Sequence, residues 1–359
     1  MARLKFILLV VSACVLTAGA PELRAATTVI VGTCKVGTRF TKIQDALNST
    51  PAPTIVQVCP GTYPEQVTIS KPVTLQGVVS GNSSLATLVP PSGGLKTNAT
   101  LLNGDAAAVQ ILVENVSGAV NLTNLVVNGS DANVGGAAVV AVLYENTPGT
   151  ITHLVTFNVS GGLGGFGVYL AGGSANPKVT IQNSTFDHDE TGIWVQSNST
   201  SSELTAIIEN NLATGCATCF DVEAGVTATI SNNMINSNGQ IGIALTGSTG
   251  SVTGNTIAGG GQSGIASGNA GFSITSNKIY DASEFGILLD IAVVKANVTG
   301  NTLTNMGKFG IDVCGSSGTP NLVHSNTFVD SNIGYAAQPG FPIAGNTFIG
   351  VTTDVGTCN

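Results

Sequence analysis

Seven asparagines, Asn211, Asn233, Asn255, Asn277, Asn301, Asn326 and Asn346, follow one another at spacings of 22, 22, 22, 24, 25 and 20 residues. Two positions after each stands an apolar side chain: Ala213, Ile235, Ile257, Ile279, Leu303, Phe328 and Phe348. A second column follows glycine, in the pairs Gly192-Ile193, Gly242-Ile243, Gly264-Ile265, Gly286-Ile287 and Gly310-Ile311. Self-similarity at a fixed short period is the mark of a stacked architecture in which each unit buries its apolar face only against its neighbours. Within each unit the apolar residues alternate over runs of three to five residues and never fall at helical spacing, which excludes helical repeats. A propeller blade needs about 40–45 residues, roughly twice this period.

The fold expected is all-β: a single-stranded right-handed parallel β-helix of about 22 residues per coil, with a short N-terminal capping helix. Like positions would stack at about 4.8 Å per coil, so the asparagines would form a side-chain ladder and the Ile and Phe columns the core. The open end of such a solenoid must be covered. Ile43, Ala46 and Leu47 lie at helical spacing, so residues 40–48 are expected to form that cap, with coils over residues 50–350 and the tail to residue 359 closing the other end.

The first residues carry Arg3 and Lys5 ahead of an apolar run ending near Ala20, the pattern of a secretory signal and too short to span a bilayer. Residues 1–25 are therefore expected to be removed, leaving residues 26–359 as one β-helix domain. Cleavage after Ala20 is the other option, and Pro21 argues for Ala25. An alternative leader reading is a lipid anchor through Cys14, in the lipobox-like run Val11 to Cys14. The net charge of −8, with 9% charged residues and scattered Lys and Arg, argues against a nucleic-acid partner. No transmembrane helix is expected in the mature chain, which is read as a monomer, secreted or held in the periplasm or cell envelope.

Besides Cys14 there are six cysteines, an even number suited to disulfides in an exported chain. Fifteen pairings are open; clustering along the chain favours Cys34 with Cys59, Cys216 with Cys219 and Cys314 with Cys358. Cys216 and Cys219 also match a redox C-x-x-C, but no cationic neighbour or helix start is apparent to activate a thiol.

Residues 40–77, FTKIQDALNSTPAPTIVQVCPGTYPEQVTISKPVTLQG, resemble the opening of pectin methylesterases and other members of the pectin-lyase-like β-helix superfamily. The Asn and Gly-Ile coils resemble the parallel β-helix repeat of that superfamily, and the resemblance covers nearly the whole mature chain. It implies the fold, whereas a function must be argued from a site. The catalytic sets of pectin methylesterase, pectate lyase and polygalacturonase are not found. With residues 1–25 removed, Arg39 is the one arginine left. If the chain is an enzyme, a polysaccharide lyase or epimerase is the expected kind.

Two local patterns test that implication. Gly162 to Gly167 match G-x-G-x-x-G, but a strand-like run follows where a dinucleotide site needs a helix. Asp187, His188 and Asp189 resemble the Asp-Pro-His-Asp/Glu motif of mannuronan C5-epimerases without its proline, which makes them the catalytic candidates. His153, His188 and His324 are too dispersed for a metal centre.

Aligned on Gly-Ile, the outward position of successive coils reads Tyr169, Trp194, Asp221, Ala244, Ala266, Leu288 and Asp312. Tyr169, Trp194 and Asp221, with Glu190 in the turn before, are the expected ligand-binding residues. Aromatic faces stack on sugar rings and carboxylates accept hydroxyl hydrogen bonds or hold Ca2+. No other cofactor is implied. The expected function is a secreted or cell-surface β-helix that binds or modifies a polysaccharide; the alternative is a non-catalytic envelope scaffold.

Overall fold

The computed structural model describes residues 27–358 except 38, 80–84, 131, 133, 174–175, 199–203, 260, 269–270, 291–295, 315–321 and 338–342. The expected leader, residues 1–25 with Cys14, lies outside the described residues.

The chain winds through about 11 turns, and its strands form three long sheets of 14, 12 and 13 strands among the described residues. Pairing within the sheets is parallel, apart from Ala99–Thr100 running antiparallel to the start of Ala106–Glu114. Each coil lays one short strand in the first sheet, turns, lays one in the second, turns again, and lays one in the third. The apolar columns stack in register: Ala213, Ile235, Ile257, Ile279, Leu303, Phe328 and Phe348 pair successively in the second sheet. In the third, Ile193, Phe220, Ile243, Ile265, Ile287 and Ile311 do the same. These residues form one continuous buried core along the solenoid, with Phe348 partly buried at its end.

The glycine before each core isoleucine has a steric cause. Two consecutive residues face inward there, and a Cβ on Gly264 would lie 2.5 Å from Ile279 Cγ2. Only glycine lets successive coils approach so closely.

The asparagines form the expected ladder. Asn233 Nδ2 donates to Asn255 Oδ1 at 2.9 Å and to the Ile208 carbonyl at 2.9 Å, while Asn255 Oδ1 also accepts from the Asn233 backbone N–H at 2.9 Å. The same set repeats to Asn326, and Ser184 begins the ladder with its N–H bonded to Asn211 Oδ1. Before each ladder residue the backbone takes one left-handed residue, such as Asn210, Asn232 or Ser276. Asn and Gly tolerate that conformation best, which explains the polar turns between apolar strands.

The coil length departs from expectation. Rung-to-rung bonds span 22 residues between Asn211 and Asn277, but 29, 30 and 27 in earlier coils, and the average is about 25. Earlier coils carry longer third-sheet strands, Ala106–Glu114, Ala138–Glu145 and Gly165–Gly172, and lack the asparagine that marks the period.

The capping helix is Ile43–Leu47, with Ile43, Ala46 and Leu47 buried over the first coil. Its own N-cap makes no side-chain bond. Instead Glu65, from the first coil, accepts from the Ile43 and Gln44 N–H groups at 2.9 and 3.1 Å. Glu65→Ala should therefore cost about 1 kcal/mol and loosen the N-terminal end first, a loss that hydrogen exchange at Ile43 and Gln44 would register. At the other end the expected lid is itself a strand: Thr353–Thr357 is the outermost strand of the third sheet. The three disulfides are Cys34–Cys59, Cys216–Cys219 and Cys314–Cys358, the last pinning that final strand to an earlier coil. Such pairs belong to chains folded in an oxidising environment. No helix among the described residues is long and apolar enough to cross a membrane.

Candidate functional site

The outer face of the third sheet carries the expected column. Tyr169 pairs with Trp194, Trp194 with Asp221, and Asp221 with Ala244, so the three candidates occupy consecutive rungs. Tyr169, however, is not open to solvent. The segment around Leu101 folds over this part of the sheet and seals a second apolar cluster of Leu101, Leu112, Leu143, Phe166 and Tyr169. Periodicity placed Tyr169 outside the helix correctly; a covering segment far away in sequence then buried it, which no local pattern reveals. Its hydroxyl donates to Gln196 Oε1 at 2.5 Å, and burial holds the phenol well above its usual range.

Trp194 sits at the edge of this cluster, half-buried. Its ring centroid lies 4.6 Å from that of Phe166 and 5.0 Å from that of Tyr169, the latter edge to face at 83°. Two aromatic neighbours on a rigid sheet hold the indole in one orientation. Nε1 is enclosed and makes no hydrogen bond of regular geometry, although the Glu223 carboxyl is near enough for the indole to lower its pKa.

Asp221 is pushed up to about 7 by burial and by the charge of Glu223. Glu223 is itself raised by burial, against the opposing influence of Trp194 and Gln196. Further up the same edge Glu145 pairs with Glu114 and is raised by burial and by that neighbour. Gln196, Glu223 and Glu145 did not stand out in the sequence. Their common signal is position: two residues past the aromatic column, at the same edge of the sheet, which is legible only once the strands are in register.

The catalytic candidates are separated by the wall of the helix. His188 occupies the left-handed position of the turn between second and third sheets, with φ of 54°, where other coils place Asn158, Gly215 and Asp281. It lies outside, its Nδ1 2.8 Å from Asp187 Oδ1, and Asp187 also accepts from the Thr214 hydroxyl. Asp189 points inward and is 1% exposed; Oδ1 accepts from the Val159 N–H at 3.0 Å and Oδ2 from the Thr156 hydroxyl. Burial pushes it up to about 7. The last glycine of the G-x-G-x-x-G run, Gly167, makes room for this carboxyl, because a Cβ there would lie 2.5 Å from Asp189 Oδ2. A strand, Gly165–Gly172, follows that run. Glu190 is exposed in the same turn.

His153 sits at a turn of another coil and His324 ends the strand Leu322–His324, and no three His, Cys, Asp or Glu side chains converge on a metal-sized site among the described residues. A polar cleft along the turns, lined by Ser92, Gly129, Ser130, Asn158 and Ser160, offers hydroxyls and one amide but no charge and no aromatic ring.

A three-sheet parallel solenoid with a buried asparagine ladder and one aromatic-acidic face defines the β-helix class. Residues 165–348 match the family described as right handed beta helix region, about half of the chain, and the chain belongs to that family. The A-module of the Azotobacter vinelandii mannuronan C-5 epimerase AlgE4 is similar over 84% of this chain and 88% of its own, at 15% identity and a TM-score of 0.54. The GH136 lacto-N-biosidase of Eubacterium ramulus is similar over 90% and 67%, at 10% identity and a TM-score of 0.64. The Streptococcus pneumoniae surface protein and adhesin PfbA is similar over 88% and 94%, at 13% identity and a TM-score of 0.58. No curated protein matches the chain. At these identities the likeness is one of fold.

Proposed function

We propose that this chain is an exported β-helix protein that binds a polysaccharide on the outer face of its third sheet. The observation that carries this reading is Trp194, the one tryptophan of the chain, held half-exposed by two aromatic neighbours and flanked on the next rung by Asp221. A fixed indole face is what a sugar ring stacks on, and carboxylates and amides at its margin accept hydroxyl hydrogen bonds. Binding is favoured over turnover because Asp189 lies inside the wall, away from the exposed Asp187 and His188 pair. The three disulfides and the signal-like leader support export to the periplasm, surface or medium. Two of the solved relatives are by name a mannuronan C-5 epimerase and a lacto-N-biosidase, and the third a surface protein and adhesin.

The test is a binding panel of neutral, basic and acidic polysaccharides with the wild type and Trp194→Ala. Loss of the stacking platform should weaken binding by about 1–3 kcal/mol, roughly ten- to hundredfold. Because the indole also packs on Phe166 and Tyr169, the variant is expected to melt somewhat earlier, so its fold is checked by circular dichroism at the binding temperature. Silence of the wild type across the panel would leave the scaffold reading in its place. Release of unsaturated uronates or reducing ends would instead make the chain an enzyme.

A further inference from the structure

We infer that the glycan this face takes carries free amino groups, as in a run of glucosamine units, and that polyuronates are rejected. This inference rests on the binding site around Trp194 proposed above.

The margin of that site is built from acids without counter-charges. Asp221 stands on the rung beside Trp194, and Glu223 follows two residues on, its N–H bonded to the Val195 carbonyl at 2.9 Å, which places it next to Gln196. Glu145 and Glu114 stand at the same edge further up, separated from Glu223 by the Ala171 and Gln196 rungs. The charges felt at this face are all negative: Glu223, Glu145 and Asp105 at Tyr169, Glu114 at Glu145, and Glu223 at Asp221. The two ion pairs among the described residues, His188 with Asp187 and Lys308 with Glu284, lie in turns outside this row.

Like charges on neighbouring rungs repel, and half-burial amplifies the cost because water screens them poorly. A structural network would answer such a row with Lys or Arg. Here the missing cation must come from outside, and the aromatic platform at its centre decides which kind of cation fits. An indole face attracts an ammonium group as well as a sugar ring, so one amino sugar satisfies both halves of the site. A polyuronate brings a carboxylate on every residue to a surface already lined with acids and no cation, and like-charge apposition opposes such a partner strongly.

The experiment is calorimetric titration of the intact protein with glucosamine oligomers, their N-acetylated counterparts of equal length, and oligouronates, together with Ca2+ alone. At about pH 6 and low salt, the amine-bearing oligomer is expected to bind at least about tenfold more tightly than the acetylated one, with no detectable uronate binding. Raising the salt should shrink that preference. Glu223→Gln should reduce it to under about threefold, whereas Trp194→Ala should weaken both neutral and basic oligomers. Equal or tighter binding of the oligouronate, or an unchanged preference in Glu223→Gln, would overturn the inference. If the acetylated oligomer binds through Trp194 as tightly as the amine, the charge argument falls while the binding site stands. If none of the three glycans binds, the site itself falls. Saturable Ca2+ binding that Asp221→Asn and Glu223→Gln abolish would assign the carboxylates to a metal and overturn the inference as well.

Discussion

Ile279→Asp should leave the central coils unable to fold. Ile279 is completely buried, stacked between Ile257 and Leu303, and an aspartate there would place an unpaired charge in the column at a cost of about 5 kcal/mol or more. That is comparable to the whole stability of an ordinary domain. In a solenoid the damage is carried by nearest-neighbour contacts, so coils near residue 279 are expected to melt while those near the N-terminal helix persist longer. Asn277→Ala, two positions away, is the informative companion. Its side chain makes four bonds: Nδ2 to the Val252 carbonyl and Asn301 Oδ1, and Oδ1 from the N–H and Nδ2 of Asn255. Truncation strands the Val252 carbonyl and the Asn255 donors in the interior, and should cost about 3–5 kcal/mol. Denaturant titration with hydrogen exchange would measure both; a native-like melt for Ile279→Asp would remove the column from the core.

Stability should fall as pH rises through neutrality, and Asp189→Asn should remove much of that fall. The carboxyl of Asp189 goes from an ordinary 3.8 to about 7 on burial. Each tenfold change in proton affinity is about 1.4 kcal/mol, so ionising it inside the wall costs about 4 kcal/mol. The sign follows from which state binds the proton. A group whose folded pKa stands above its unfolded value gives its full stability below the unfolded pKa and loses it as pH rises through the folded one. The melting temperature should be highest near pH 4 and decline toward pH 8, with Asp221 contributing over the same window and Glu145, Glu223 and Asp312, all raised, adding to it. An asparagine at 189 keeps an acceptor for the Val159 N–H and can donate to the Thr156 hydroxyl, without a charge to bury. The variant should equal the parent near pH 4 and melt higher at pH 8. A parent whose melting temperature is flat between pH 4 and 8 would refute the assignment.

The same arrangement bears on the catalytic reading. Asp187, His188 and Asp189 are candidates because they resemble the Asp-Pro-His-Asp/Glu motif of mannuronan C5-epimerases. A turn reverses the direction of successive side chains, so Asp187 and His188 meet outside while Asp189 meets Thr156 and Val159 inside. Three titratable residues in a row need not share a site.

The repeat period and the asparagine ladder were legible in the amino-acid sequence because each is a nearest-neighbour property. A coil contacts chiefly the coils before and after it, so a residue type that suits a position in one coil suits it in the next, and the pattern is written along the chain as Asn233, Asn255, Asn277. The register of Tyr169, Trp194 and Asp221 was legible for the same reason. Other features depend on contacts without a period. The segment around Leu101 crosses from an earlier coil to bury Tyr169, and the earlier coils lengthen to 27–30 residues without the marker asparagine. Glu223 and Gln196 come from different coils, and only the stacking of those coils gathers them beside one indole, with Glu145 further along the same edge. Local periodicity determined which way each side chain leaves the wall; the tertiary structure alone decided what covers it and which charges it meets, because burial and electrostatics depend on every neighbour in space and not on the next residue along the chain.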